Sequence, residues 1–87
     1  MEEQEMFATI EDRRKTERRI RIACQVAAVT IVSYGIYKGY IYVAAQANGQ
    51  YYVLQLRDNR IYRVVNAPQL SAALTLMKVP IQLMKNL

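Results

Sequence analysis

The chain has 87 residues, one cysteine, no histidine, 53% hydrophobic side chains and a formal charge of +5. A domain of this size buries only about 60% of the surface its unfolded form exposes, so its stability margin is thin and a surplus of apolar surface points to a partner or a second copy, a homodimer. Without histidine the chain lacks the commonest general base and the commonest transition-metal ligand, and the lone Cys24 cannot close a bridge within the chain, which fits a reducing, cytoplasmic setting.

Residues 1–8 are acidic and lack an apolar period, so they read as a flexible N-terminus ahead of a single small α+β domain over residues 9–87. Between Glu11 and Ala28 there is no Gly or Pro, and Glu17 stands four residues before Arg21, an acid-before-base pair at helical spacing. A helix is predicted there. Its apolar stripe runs through Thr16, Ile20, Ala23 and Ala27 with Cys24 at the edge, and Ile20 is the expected anchor; Arg14, Arg18, Arg21 and Gln25 line the opposite, basic side.

β-branched residues then accumulate from Val26 to Tyr34, predicting a first strand, although a continued helix over 26–37 is the competing reading. Three further strands follow at Gly39–Ala47, Gln50–Leu56 and Arg60–Val65, separated by Asn48-Gly49 and Asp58-Asn59. Asn-Gly is the strongest two-residue hairpin signal, because both positions need positive φ. With Ala47 opposite Gln50, Ile41, Val43 and Ala45 share a face with Tyr52, Leu54 and Leu56, the expected core side. Tyr40, Tyr42, Ala44, Tyr51, Val53 and Gln55 then form the other face, expected to face solvent. A three-residue loop ending at Arg60 is preferred for the second turn, which turns Tyr62 and Val64 inward and leaves Ile61 and Arg63 outside beside Arg57.

Asn66-Ala67-Pro68 reads as a helix start, with Leu70, Leu74 and Met77 following at helical spacing and Pro80 ending or kinking the run. The apolar tail Ile81–Leu87 either pads the core or meets another chain. The expected fold is α+β: an N-terminal amphipathic helix packed on a three- to four-stranded antiparallel β-meander, followed by a short C-terminal helix.

Catalytic and metal chemistry find little to work with. One cysteine, no histidine and a single acid after Glu17, Asp58, supply neither a zinc ligand set nor a carboxylate pair. Gly35-x-x-x-Gly39 lacks the remaining glycine, lysine and hydroxyl positions of a phosphate loop. The expectation is therefore no enzyme, no cofactor and no metal. Every base after Arg21 (Lys38, Arg57, Arg60, Arg63, Lys78, Lys85) faces only that one acid, so this part of the chain attracts anions.

Tyr40, Tyr42, Tyr51, Arg57 and Arg63, with the helical Arg14, Arg18 and Arg21, are the candidate partner-binding residues, since tyrosine and arginine are enriched at binding hot spots. The leading expectation is a protein-binding inhibitor or adaptor that occludes an acidic partner surface. A nucleic-acid-binding accessory protein using the same Tyr/Arg face is the alternative. A membrane anchor over residues 22–37 is a third reading, weakened by a length of about 16 residues against the roughly 20 needed to span and by Gln25, Thr30, Ser33 and Gly35 within it.

Overall fold

The computed structural model describes residues 13–86, so the acidic segment 1–8 and the first residues of the expected helix lie outside the described part. The fold is α+β. Helix α1 (Arg13–Cys24) leads into four strands of eight residues each: β1 (Thr30–Tyr37), β2 (Tyr40–Ala47), β3 (Gln50–Arg57) and β4 (Arg60–Ala67). Helix α2 (Leu70–Met77), a single 3₁₀ turn (Ile81–Leu83) and a two-residue strand β5 (Lys85–Asn86) complete it. The sheet is antiparallel in the order β4-β3-β2-β1-β5.

Helix α1 stops four residues short of the predicted end, because Gln25 adopts the left-handed conformation (φ 55°) and the Val26 amide turns back to the Arg21 carbonyl at 3.0 Å. Glycine is the usual residue there, and its absence hid the stop. Of the predicted apolar stripe, Ile20 is buried as the anchor, Thr16 and Cys24 are half-buried, and Ala23 and Ala27 are exposed. Residues 30–37 are strand, not continued helix.

The meander runs on a period of ten. Lys38-Gly39, Asn48-Gly49 and Asp58-Asn59 all pair positive φ with positive φ (51° and 81°, 53° and 72°, 52° and 63°), the signature of the type I′ hairpin turn. Across Asn48-Gly49 the register is Ala47 opposite Gln50, as expected. The second turn differs from the preferred reading: it has two residues, with Arg57 opposite Arg60 and Leu56 opposite Ile61. A bulge at Tyr62 then restores the phase, so that Gln55 faces Arg63 and Leu54 faces Val64. Ile61 therefore packs on the first core instead of pointing outward, and Tyr62 is exposed on the opposite side instead of inward.

Both faces of the sheet are covered. On the first, Ile20 of α1 joins a core made by Val29, Ile31, Ile41, Val43, Ala45, Ala47, Leu54 and Leu56. On the second, which the sequence reading left to solvent, Ala73, Leu74 and Met77 of α2 and Val79 seal Tyr42, Ala44, Val53 and Ala67. Helix α2 begins later than predicted, since Ala67 still pairs with Tyr51 and Asn66 donates to the Gln50 side chain. It ends before Pro80 at Lys78, whose left-handed conformation returns its amide to the Thr75 carbonyl at 3.0 Å.

The tail pads this second core through Met84 and adds β5 to β1 opposite Ser33 and Tyr34. It crosses directly over Gly35, where an added Cβ would lie 2.8 Å from the Leu83 carbonyl oxygen and 3.0 Å from Met84 Sδ. Gly35→Ala is expected to lift the tail and cost about 1–3 kcal/mol as an overpacking change, read as a lower urea midpoint and as faster hydrogen exchange at Lys85 and Asn86.

Candidate partner-binding surface

Helix and strand lengths decide what stays open. Eight helical residues span about 12 Å, whereas eight strand residues span about 26 Å, so α2 cannot cover the full length of the face on which it lies. It starts beside Ala67, at the Asn48-Gly49 end, and finishes near Arg63, which donates to the Leu76 carbonyl at 3.1 Å. The arginine thereby satisfies a helix C-terminal carbonyl and offsets its partial negative charge. Beyond this point, toward the Lys38-Gly39 and Asp58-Asn59 turns, the second face carries half-buried Tyr37 and Tyr40 and exposed Tyr62.

These rings are organised by contacts with one another and with cations. Tyr40 and Tyr62 meet edge to face at 5.8 Å between centroids, and Tyr40 contacts Tyr42 at 6.4 Å. The Arg57 guanidinium lies 3.9 Å above the Tyr40 ring and donates to the Gly39 carbonyl at 3.4 Å. Lys38 Nζ sits 5.2 Å from the Tyr37 centroid. Arg60, exposed, pairs with Arg57 across the turn, and Arg19 of α1 donates to the Asn59 carbonyl. Four cations thus gather at one end of the sheet, where Asp58 is the sole acid of the strands and turns.

The predicted site residues separate into four places. Tyr40, Arg57 and Arg63 belong to this open end. Tyr42 does not, because α2 buries it to 4% exposure and its hydroxyl accepts from Gln55 Nε2 at 3.0 Å; its place in an exposed face is corrected. Tyr51 is half-buried at the opposite end of the sheet, beside Gln46 and Ala67. Arg14 and Arg18 are exposed and Arg21 half-buried on α1, which packs on the other face through Ile20. Sequence reasoning missed Tyr37, Lys38, Arg60 and Tyr62. The ten-residue spacing of the turns was the available signal, since it places positions 37, 40, 57 and 60 at one end.

The residues considered for other chemistry are accounted for by packing. Cys24 contacts the first core, and burial raises its thiol pKa, which disfavours the reactive thiolate. Ser33 is buried opposite Ala44, and its hydroxyl has no hydrogen-bond partner among the described residues. Residues 22–37 divide between the end of α1, a connecting segment and β1. Among the described residues no helix is long and apolar enough to cross a membrane, and no three Asp, Glu or Cys side chains cluster as metal ligands.

No family model matches the chain, and no curated protein or solved structure is detectably similar to it.

The two tyrosines most easily confused in the sequence separate in a stability measurement. Tyr42→Ala is expected to cost about 3–5 kcal/mol, as for a large buried aromatic, and Tyr62→Ala less than about 1 kcal/mol, as for an exposed side chain. Urea denaturation of the two variants checks the difference.

Proposed function

We propose that the chain is a small non-catalytic binding module that docks the open, cationic end of its sheet on an acidic protein surface, as an inhibitor or adaptor does when it occludes that surface. The observation that carries this reading is Arg57 held over the Tyr40 ring beside exposed Tyr62. The ring contact and the Nε bond to the Gly39 carbonyl hold the guanidinium in place, and its terminal nitrogens supply the planar fork of donors that matches a carboxylate. Tyr62 adds rigid, amphipathic contact area at low entropic cost.

Nucleic-acid binding draws on the same charges but needs an aromatic face on which a base can stack. Here the chain's own cations lie over Tyr40 and Tyr37, and Tyr40 also packs against Tyr62. The tyrosines are therefore better placed to orient cations than to receive bases, which favours the protein partner.

Binding of a fluorescent oligo-glutamate peptide and of an oligothymidylate, each titrated with salt, tests the reading. The peptide is expected to bind saturably. Arg57→Ala/Arg60→Ala should weaken it about tenfold, the loss of one or two charge-assisted contacts. Arg14→Ala/Arg18→Ala, which removes the same charge from the other side of the molecule, should change it less than twofold. Equal losses in both variants would mean that net charge alone attracts the peptide, and tighter binding of the oligonucleotide with a steep salt slope would favour the alternative.

A further inference from the structure

We infer that the partner engages this surface as an extended strand of alternating acidic and apolar residues, added antiparallel to the free edge of β4. The inference rests on the proposed function and specifies its mode. Strand β4 is the outermost of the sheet, eight residues long, and among the described residues nothing pairs with its outer side. The opposite edge differs, because β5 occupies part of β1. An open edge of this length offers a ladder of unused backbone donors and acceptors to any chain that can lie beside it.

The register says which groups point outward. Across the two-residue turn, Arg57 and Arg60 form the hydrogen-bonded pair, so residues on their face bond inward to β3. The backbones of Ile61, Val64 and Asn66, on the other face, are then directed away from the sheet. The side chains along the edge are sorted in the same way. Arg60, Tyr62 and Arg63 stand on the second face, and Ile61, Val64 and Asn66 on the first, where Val64 is 37% exposed although it sits across from buried Leu54. An incoming strand therefore meets arginines on one side and apolar surface on the other. Its complement alternates Glu or Asp with Val, Ile or Leu at a period of two.

The bulge at Tyr62 and the two arginines are also the devices by which natural proteins keep edges from pairing with themselves. Both uses follow from one charge pattern. An antiparallel β4–β4 pairing about a two-fold axis puts Arg60 and Arg63 of both copies on one face of the joined sheet, whereas an acidic strand neutralises them. The edge is thus selective: it repels a second copy and accepts a partner of opposite charge.

The test uses the full chain and labelled ten-residue peptides of alternating Glu and Val, with fluorescence anisotropy as the readout. The unmodified peptide should bind, and the Lys/Val analogue should not. N-methylation of the Val nitrogens, which face β4 when Glu faces the arginines, should weaken binding at least about tenfold through lost ladder hydrogen bonds. N-methylation of the Glu nitrogens, which face solvent, should change it less than threefold, and Arg60→Glu should weaken the unmodified peptide about tenfold. Equal binding of both N-methylated peptides would overturn strand addition while leaving an acidic partner in place. Equal binding of the Glu/Val and Lys/Val peptides would remove the acidic partner itself. Failure of the unmodified peptide to bind, or a chain that dimerises through β4, would overturn the inference outright.

Discussion

A sheet that is apolar on both sides must be covered on both sides, and a helix advances less than half as far per residue as a strand. The rest of this structure follows from that constraint. Strand β2 buries five consecutive residues, Ile41 to Ala45, so neither of its faces tolerates water. Helix α1 covers part of one face through Ile20, with half-buried Cys24 beside it. Helix α2, eight residues long, closes only part of the other, and the 3₁₀ turn with Met84 extends the cover over β1 and Gly35. What stays open is the turn end of β2, β3 and β4. There tyrosines are the suitable residues, because a half-covered ring keeps its body against the core and its polar tip in water.

The arginines follow from the same shortfall of apolar cover. Arg57 lays its guanidinium over Tyr40, Arg63 reaches the Leu76 carbonyl near the C-terminus of α2, and Arg19 ties α1 to the Asp58-Asn59 turn. Each brings its charge to the boundary between packed and open sheet. A cationic rim around exposed aromatic surface is thus built from contacts that also hold the fold. That double use links the structural role of these residues to the proposed docking role.

Much of the fold was legible in the residues themselves. Asn48-Gly49 marked a hairpin and set its register, Ile20 stood out as an anchor, and of Leu70, Leu74 and Met77 at helical spacing the last two are buried. The second turn was legible in position but not in length, because Asp58-Asn59 makes a two-residue turn whose register only a bulge at Tyr62 corrects, and no local residue announces that bulge. The covering of the Tyr42 face had a signal that was read as binding surface: Ile41 to Ala45 contains no charged residue in either phase, as expected for a central strand. The open end itself depends on where α2 stops along the sheet. That is a tertiary fact, set by helix length and the Arg63 contact, and no single stretch of sequence contains it.

Accessibility of individual tyrosines is the most direct measure of where the sheet stays open. Nitration of the native chain with tetranitromethane, followed residue by residue by mass spectrometry, should modify Tyr62 first and leave Tyr42 unmodified until denaturant unfolds the protein. Reaction of Tyr42 at the same rate as Tyr62 in the native chain would contradict the account, because α2 would not then cover the sheet as described.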